Sequence, residues 1–322
     1  SKGGEENLLS PYLEMLRALH QLAYGDDLAE TELAAMLEAA QVRSASSAMP
    51  PVASMPTPAV PPSLIPAGIS ASGYNSLVAC PYQYYARHVL HLNELDEVRE
   101  GIEKRDYGEW IHDILYRFHE KYSPLQEFDR AELESALQRI SEEVFAQAVE
   151  HDYWARAWLL RWQKTIPAYL DAQAQVEAEG WHYVQGEVAF KQPLSPELQI
   201  HGRIDRVDVL DQVANVERVL DYKTLEAAKL RNKLKEPGED VQLPFYAYAR
   251  DACEGAFFSL DKNQASTVAP AQEIRHLSLA TIKRLLAVFA MLREGAAMPA
   301  NGIAAVCEHC EMRGLCRKAE WK

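Results

Sequence analysis

Residues 202–208 read GRIDRVD and residues 220–224 read LDYKT, and the stretch holding both decides the fold. Each motif sits in a β-rich run, LQIHGRIDRVDVL over 198–210 and VANVERVLDYKT over 213–224. A short Asp-Gln turn joins the two runs, which predicts a strand pair. Residues i and i+2 of a strand face the same way, so Asp221 and Lys223 point together. Asp205 joins them from the neighbouring strand. Two carboxylates and an amine then converge on one spot.

That grouping has a chemical meaning. Hydrolysis of a phosphodiester needs a nucleophilic water and relief of charge on the phosphate. Mg2+ or Mn2+ provides both, and such hard cations are held by carboxylate oxygens. A lysine beside the ion orients or helps to deprotonate the water and neutralises developing charge. Taken alone, Asp-x-Lys is far more often an ion pair on an exposed strand face. The carboxylate on the preceding strand gives it weight. Arg206 and Asp208, which flank Asp205, are expected to be structural or salt-bridged.

Outward from this centre, WHYVQGEVAFKQ (181–192) reads as a further strand, residues 239–252 as a helix, GAFFSL (255–260) as a strand and 278–295 as a helix. Upstream, KRDYGEWIHDILYRFHEKY (104–122) is strongly amphipathic, and two more helices are expected near 129–150 and 154–179. SASGYNSLVACPYQYYARHVL (70–90) reads as a capped short helix, a break at Pro81 and a second, aromatic-rich helix. Helices, then a strand meander, then helix, strand and helix make an α+β, or mixed α/β, domain around one sheet. Residues 43–69 are Pro-, Ala- and Ser-rich without periodicity and read as an extended linker. The expected organisation is a helical N-terminal segment over 1–42, the linker over 43–69 and the main domain over 70–322, with two helices within 8–40.

Hydrophobic residues make up 48% of the 322 and charged residues 25%, an ordinary balance for a globular protein. No apolar run approaches the roughly 20 residues of a membrane helix. The opening SKGGEENLLS has neither an initiating Met nor a signal-peptide pattern, so a fragment of a longer cytoplasmic protein is expected. The net charge of −14 argues against a protein that coats nucleic acid by bulk charge. A local basic lining is still present in KTLEAAKLRNKLK (223–235), which is read either as that lining or as a solvated face. No G-x-x-x-x-G-K-[ST] occurs, so no ATP site of that type is expected.

The five cysteines are odd in number and are not expected to form a disulfide framework. Cys307, Cys310 and Cys316 form C-x2-C-x5-C, which turns thiolates toward one metal group. Clusters and structural zinc sites both want four ligands, and Cys80 is the obvious fourth. Such a ligand would clamp the start of the main domain to its end. Cys253 reads as a small buried residue.

GRIDRVD, LDYKT and VQLPFYAY (241–248) together resemble the successive motifs of the RecB-like branch of the PD-(D/E)XK nucleases. The resemblance spans about residues 70–322 and implies a restriction-endonuclease-like core sheet flanked by helices, closed by a cluster-bound C-terminal tail. It implies a Mg2+ or Mn2+ ion held by His112, Asp205, Asp221 and the Tyr222 backbone carbonyl, with Lys223 as the catalytic lysine. His112 fits the family's G-x-x-x-H form in GEWIHDILYRFH, and His119 is the runner-up. Gln242 and Tyr246 match Q-x-x-x-Y, lie on one helical face, and would contact DNA or support the catalytic loop. Glu187 in QGEVAF is a further candidate for the metal shell. The cysteines resemble a subset that includes the AddB-type nucleases and CRISPR-associated RecB-like nucleases. This implies a [4Fe–4S] cluster on Cys80, Cys307, Cys310 and Cys316, with Zn2+ as the alternative. Arg313, Arg317 and Lys318 beside it would reach phosphates.

The function this resemblance implies is a metal-dependent DNA nuclease, a single-strand exonuclease in double-strand break repair or recombination with a helicase or helicase-nuclease partner. The alternatives are a stand-alone cluster-containing exonuclease of the CRISPR spacer-acquisition type and a non-catalytic DNA-binding scaffold. Intact Asp205, Asp221 and Lys223 disfavour the scaffold.

Overall fold

The computed structural model describes residues 10–26, 55–93, 102–211, 216–235, 240–302, 304–308, 310–318 and 321. The chain divides into two units, residues 1–51 and 52–322. In the first, α1 (Pro11–Tyr24) ends at Gly25, whose left-handed φ of 80° lets its N–H close onto Gln21 O. The second helix expected in this unit, and residues 43–54 of the expected linker, lie outside the described residues.

The second unit is a six-stranded mixed sheet with helices on both faces, an α+β domain as expected. β2 (Trp181–Ser195) and β3 (Leu198–Leu210) form a long antiparallel hairpin. β4 (Glu217–Lys223) runs antiparallel to β3, and β5 (Glu254–Asp261) runs parallel to β4. Two strands escape the sequence reading. β1 (Gly68–Ile69) is a two-residue parallel strand on β3, and β6 (Gln264–Val268) pairs antiparallel with β5. Both lack the alternation that marks a half-buried strand.

Side-chain alternation divides the core into two. Val219 and Phe257 face one cluster with Ile204, Phe245 and Phe289; Leu220, Tyr222 and Phe258 face the other with Ile111, Phe118, Trp162 and Tyr169. The first is covered by α2 (Ala71–Ala79), α3 (Pro81–Tyr84), α8 (Gln242–Arg250) and α9 (Ile274–Arg293), and α7 (Ala227–Lys233) lies against β5 and β6. The second is covered by α4 (Lys104–His119), α5 (Arg130–His151) and α6 (Tyr153–Ala178).

The linker reading fails at its C-terminal end. Val60, Ile65 and Ile69 are buried in the first cluster, and Pro56 O and Pro58 O accept hydrogen bonds from Ala300 and Met298. Three apolar side chains spaced through a Pro-rich segment bury without any helical or strand period. The break at Pro81 holds: Ser70 Oγ caps α2 at Gly73 N–H, and Cys80 is extended between the two helices. Among the described residues no helix is long and apolar enough to cross a membrane.

Candidate functional site

The β3–β4 ladder ends at the pair Arg206–Leu220. The next residues outward, Asp205 and Asp221, sit where the strands part. Asp205 Oδ2 accepts the Tyr222 N–H at 2.9 Å, so the fork is bridged by a side chain where a ladder bond would otherwise form.

α4 brings the histidine. Its buried stripe of Ile111, Ile114, Leu115 and Phe118 is wholly removed from water, worth about 1.5–3 kcal/mol per side chain. A reciprocal capping box between Glu103 and Asp106 fixes its start. His112 lies at the edge of that stripe, and its Nε2 is 2.9 Å from the Tyr222 carbonyl. A carbonyl only accepts, so Nε2 carries the proton. Burial, only partly offset by Asp221 and the Tyr222 hydrogen bond, holds the ring below the ordinary histidine value. In the neutral ring Nδ1 therefore bears a lone pair, and it lies 3.4 Å from Asp205 Oδ2. Burial first, and the Asp221 charge second, hold the Asp205 carboxyl well above the usual range.

Glu187 joins from β2. Its φ of 53° is in the left-handed region, which costs a non-glycine residue about 1–3 kcal/mol and is characteristic of functional sites. The ligand atoms of His112, Glu187 and Asp205 all lie within 4.8 Å of one another. One nitrogen lone pair and two carboxylates, with lone pairs opposed and Asp205 short of countercharge, form a donor set suited to a hard divalent cation.

Asp221 is held differently. It forms an ion pair with Lys223, and Gln242 Nε2 donates both to its Oδ1 and to the Tyr246 hydroxyl, the latter at 2.9 Å. Gln242 and Tyr246 thus hold Asp221; of the two roles expected for them, this geometry fits support. Burial opposes the Lys223 charge, but Asp221 and its hydrogen bond more than offset this and hold the amine above its ordinary value. Lys223 is an ammonium ion in this state. The Tyr222 carbonyl, expected as a metal ligand, is taken up by His112.

His119 does not enter the site. It is buried against Tyr169 and lies 3.1 Å from Arg206 Nη1. Arg206 in turn reaches Asp208, Gln173 and the Tyr222 hydroxyl, and Asp208 also holds Arg218 at 2.7 Å. This network sits behind Tyr222, the residue whose N–H and carbonyl organise Asp205 and His112.

Two contributions escape the sequence reading. Arg203 Nε contacts Glu187 Oε2 at 2.8 Å; its place two residues before Asp205 on a strand was the available signal. Lys104 and Arg105, both about two turns before His112, line a cavity of about 430 Å3 with His112, Tyr222 and Lys223. In the basic stretch, Lys229, Arg231 and Lys233 are exposed on α7, and only Lys223 turns into the site.

The cysteines meet elsewhere. Cys80, Cys307, Cys310 and Cys316 line one cavity of about 350 Å3. Lys318 Nζ lies 3.4 Å from Cys307 Sγ and 2.7 Å from Gly302 O; Gln83 Nε2 lies 3.6 Å from Cys310 Sγ. A Cβ at Gly302 would stand 3.2 Å from Cys80 Cβ and 3.3 Å from Cys307 Sγ, so glycine permits the close approach. Lys318, expected to reach phosphates, is exposed but spends its Nζ on Gly302 O and Cys307 Sγ. Burial pushes the Cys310 thiol up. Cys253 is half-buried beside Glu217 O.

The chain is similar to several known proteins. An uncharacterized protein of Rickettsia bellii is 23% identical over 159 residues, 48% of this chain and 18% of that protein. An ATP-dependent helicase/deoxyribonuclease component of Streptococcus pyogenes serotype M49 is 24% identical over 163 residues, 51% of this chain and 15% of that protein. The chain spans less than a fifth of the length of either relative. The crystal structure of SSO0001 aligns with a TM-score of 0.35 at 15% identity, covering 80% of this chain and 88% of that one, too weak a likeness to carry an argument. A sequence model of the PD-(D/E)XK nuclease superfamily matches residues 68–317, and the chain belongs to that superfamily.

Proposed function

We propose that this chain is a metal-dependent deoxyribonuclease module that degrades single-stranded DNA beside a helicase in cytoplasmic double-strand break repair or recombination. The observation that carries the reading is the fork. His112, Asp205, Asp221 and Lys223 come from three elements and meet where β3 and β4 part.

His112 through Nδ1, Asp205 and Glu187 would hold Mg2+ or Mn2+, with Asp221 completing the shell, while the Tyr222 carbonyl, which accepts the His112 Nε2 proton, orients the ring. When bound, the cation supplies Lewis acidity toward water and phosphate. Lys223, as an ammonium, neutralises charge that develops on the phosphate oxygens. Gln242 and Tyr246 keep Asp221 aimed at this point. The likeness to the streptococcal helicase/deoxyribonuclease component supports a helicase partner.

The four cysteines would hold a [4Fe–4S] cluster that fastens the tail to the start of the domain. Their common cavity supports this, as do the N–H groups of Gln83 and Lys318 near two of the sulfurs; hydrogen bonds to sulfur are a usual feature of such clusters.

The test uses protein purified without oxygen. It should be brown and contain iron, and it should degrade end-labelled single-stranded DNA in Mg2+ or Mn2+ but not in EDTA. A colourless zinc protein would overturn the cluster. Binding without cleavage under every metal would make the chain a scaffold.

A further inference from the structure

Tyr153 and Trp154 open α6 and are 81% and 65% exposed. Their rings lie 6.3 Å apart at 71°, and Arg156 beside them is also exposed. The fold does not need them outside, because α6 is already anchored by Ala155, Trp162, Ile166 and Tyr169. Two such rings carry a large apolar area that water does not favour.

Their position is fixed relative to the candidate active site. Asp152 Oδ1 accepts the Trp154 N–H at 2.7 Å, and its Oδ2 accepts the Ile102 N–H at 3.2 Å. Ile102 leads directly into α4, whose first turns line the cavity that ends at His112, Tyr222 and Lys223. From Lys104 to His112 the helix runs about 12 Å. Midway, a Cβ at Gly108 would meet nothing within 4 Å, so the path is open. Lys104 stands exposed at its entrance, and the ion pair of Arg105 and Glu109 borders it.

We propose that Tyr153 and Trp154 form a base-stacking platform for a nucleic-acid single strand whose backbone continues past Lys104 into the cavity. The inference rests on the nuclease reading and states how that site takes its substrate. Aromatic faces beside a cation-lined backbone path are the chemistry of single-strand binding. A duplex has no free base faces, so the platform selects single strands without reading sequence. Tyr, Trp and Arg also make protein interfaces; the Asp152 tie to the cavity helix and the cations along it favour the nucleic acid.

The experiment measures binding of a thymidine homopolymer by the full chain in EDTA, where cleavage is absent. The Tyr153→Ala/Trp154→Ala double variant should bind roughly 5- to 150-fold more weakly, the range of one stacked base. Trp154→Phe should stay close to wild type, and all three proteins should melt alike. A strand made abasic where it meets the platform should cost wild type a similar factor and cost the double variant nothing further. Equal affinity of wild type and double variant, or no binding by wild type, overturns the platform and leaves the aromatics to a protein partner. Binding that depends on the platform, with no cleavage under any metal, would instead overturn the nuclease reading alone.

Discussion

The tautomer of His112 is set by one backbone carbonyl. Because Tyr222 O takes the Nε2 proton, Nδ1 is left to face Asp205. A metal-binding histidine is ordinarily oriented in this way by its second nitrogen. His112→Ala should weaken Mn2+ binding by at least about 10- to 100-fold, the range commanded even by groups outside the coordination sphere, as read by isothermal titration. Gln242→Ala leaves Asp221 with Lys223 but without its amide donor. It should lower the cleavage rate by about 10- to 100-fold without unfolding the domain; an unchanged rate would remove Gln242 from the account. Asp221 and Lys223 were legible in the sequence because a strand's two-residue period puts them together, and Asp205 because the short turn pairs its strand with theirs. Glu187 gave a weaker signal, since only its left-handed backbone turns it inward. The capture of the Tyr222 carbonyl by His112 was not legible, because no sequence pattern records which atom a backbone group meets.

At the scale of elements, β3 serves two purposes in adjacent residues. Asp205 stands at the fork, and Arg206 enters the buried network of Asp208, Arg218, Gln173 and Tyr222. Arg206 and Asp208 are both fully buried. Removing one partner of such a pair costs about 3–5 kcal/mol, so Arg206→Met should lose that much stability in urea titration. The same network gives a pH dependence. His119 is packed by Arg206 from β3, Tyr169 from α6 and Tyr183 from β2. Burial, reinforced by the Arg206 charge, holds it well below the ordinary histidine value of 6.5. The unfolded chain thus takes up a proton below pH 6.5 that the folded chain refuses. Stability from this group is full above that pH and falls as pH drops, by about 1.4 kcal/mol per unit. His119→Gln should flatten the wild-type curve below pH 6.5; parallel curves would mean that His119 is protonated in the fold. The long helices and the central strands were legible from their periodicity. β1, β6 and residues 55–69 were not, because a two-residue strand, a polar edge strand and a Pro-rich segment carry no period.

Over the whole molecule, Cys80 near the start of the main domain and three cysteines near its end line one cavity. The C-x2-C-x5-C spacing and the want of a fourth ligand made that meeting legible, whereas the contact of Lys318 with Gly302 and Cys307 was not. Cys80→Ala should abolish the brown colour, lower the iron content and expose residues 300–322 to protease; retained colour and a resistant tail would break the proposed clamp. The central claim is that the fork is a metal-dependent nuclease centre in which Lys223 acts on the phosphate while other residues hold the ion. The most direct measurement is single-turnover cleavage of end-labelled single-stranded DNA by wild type and Lys223→Met, with Mn2+ affinity determined on the same samples. The variant should lose cleavage by about 100-fold or more and still bind Mn2+. Cleavage by Lys223→Met at the wild-type rate would contradict that claim.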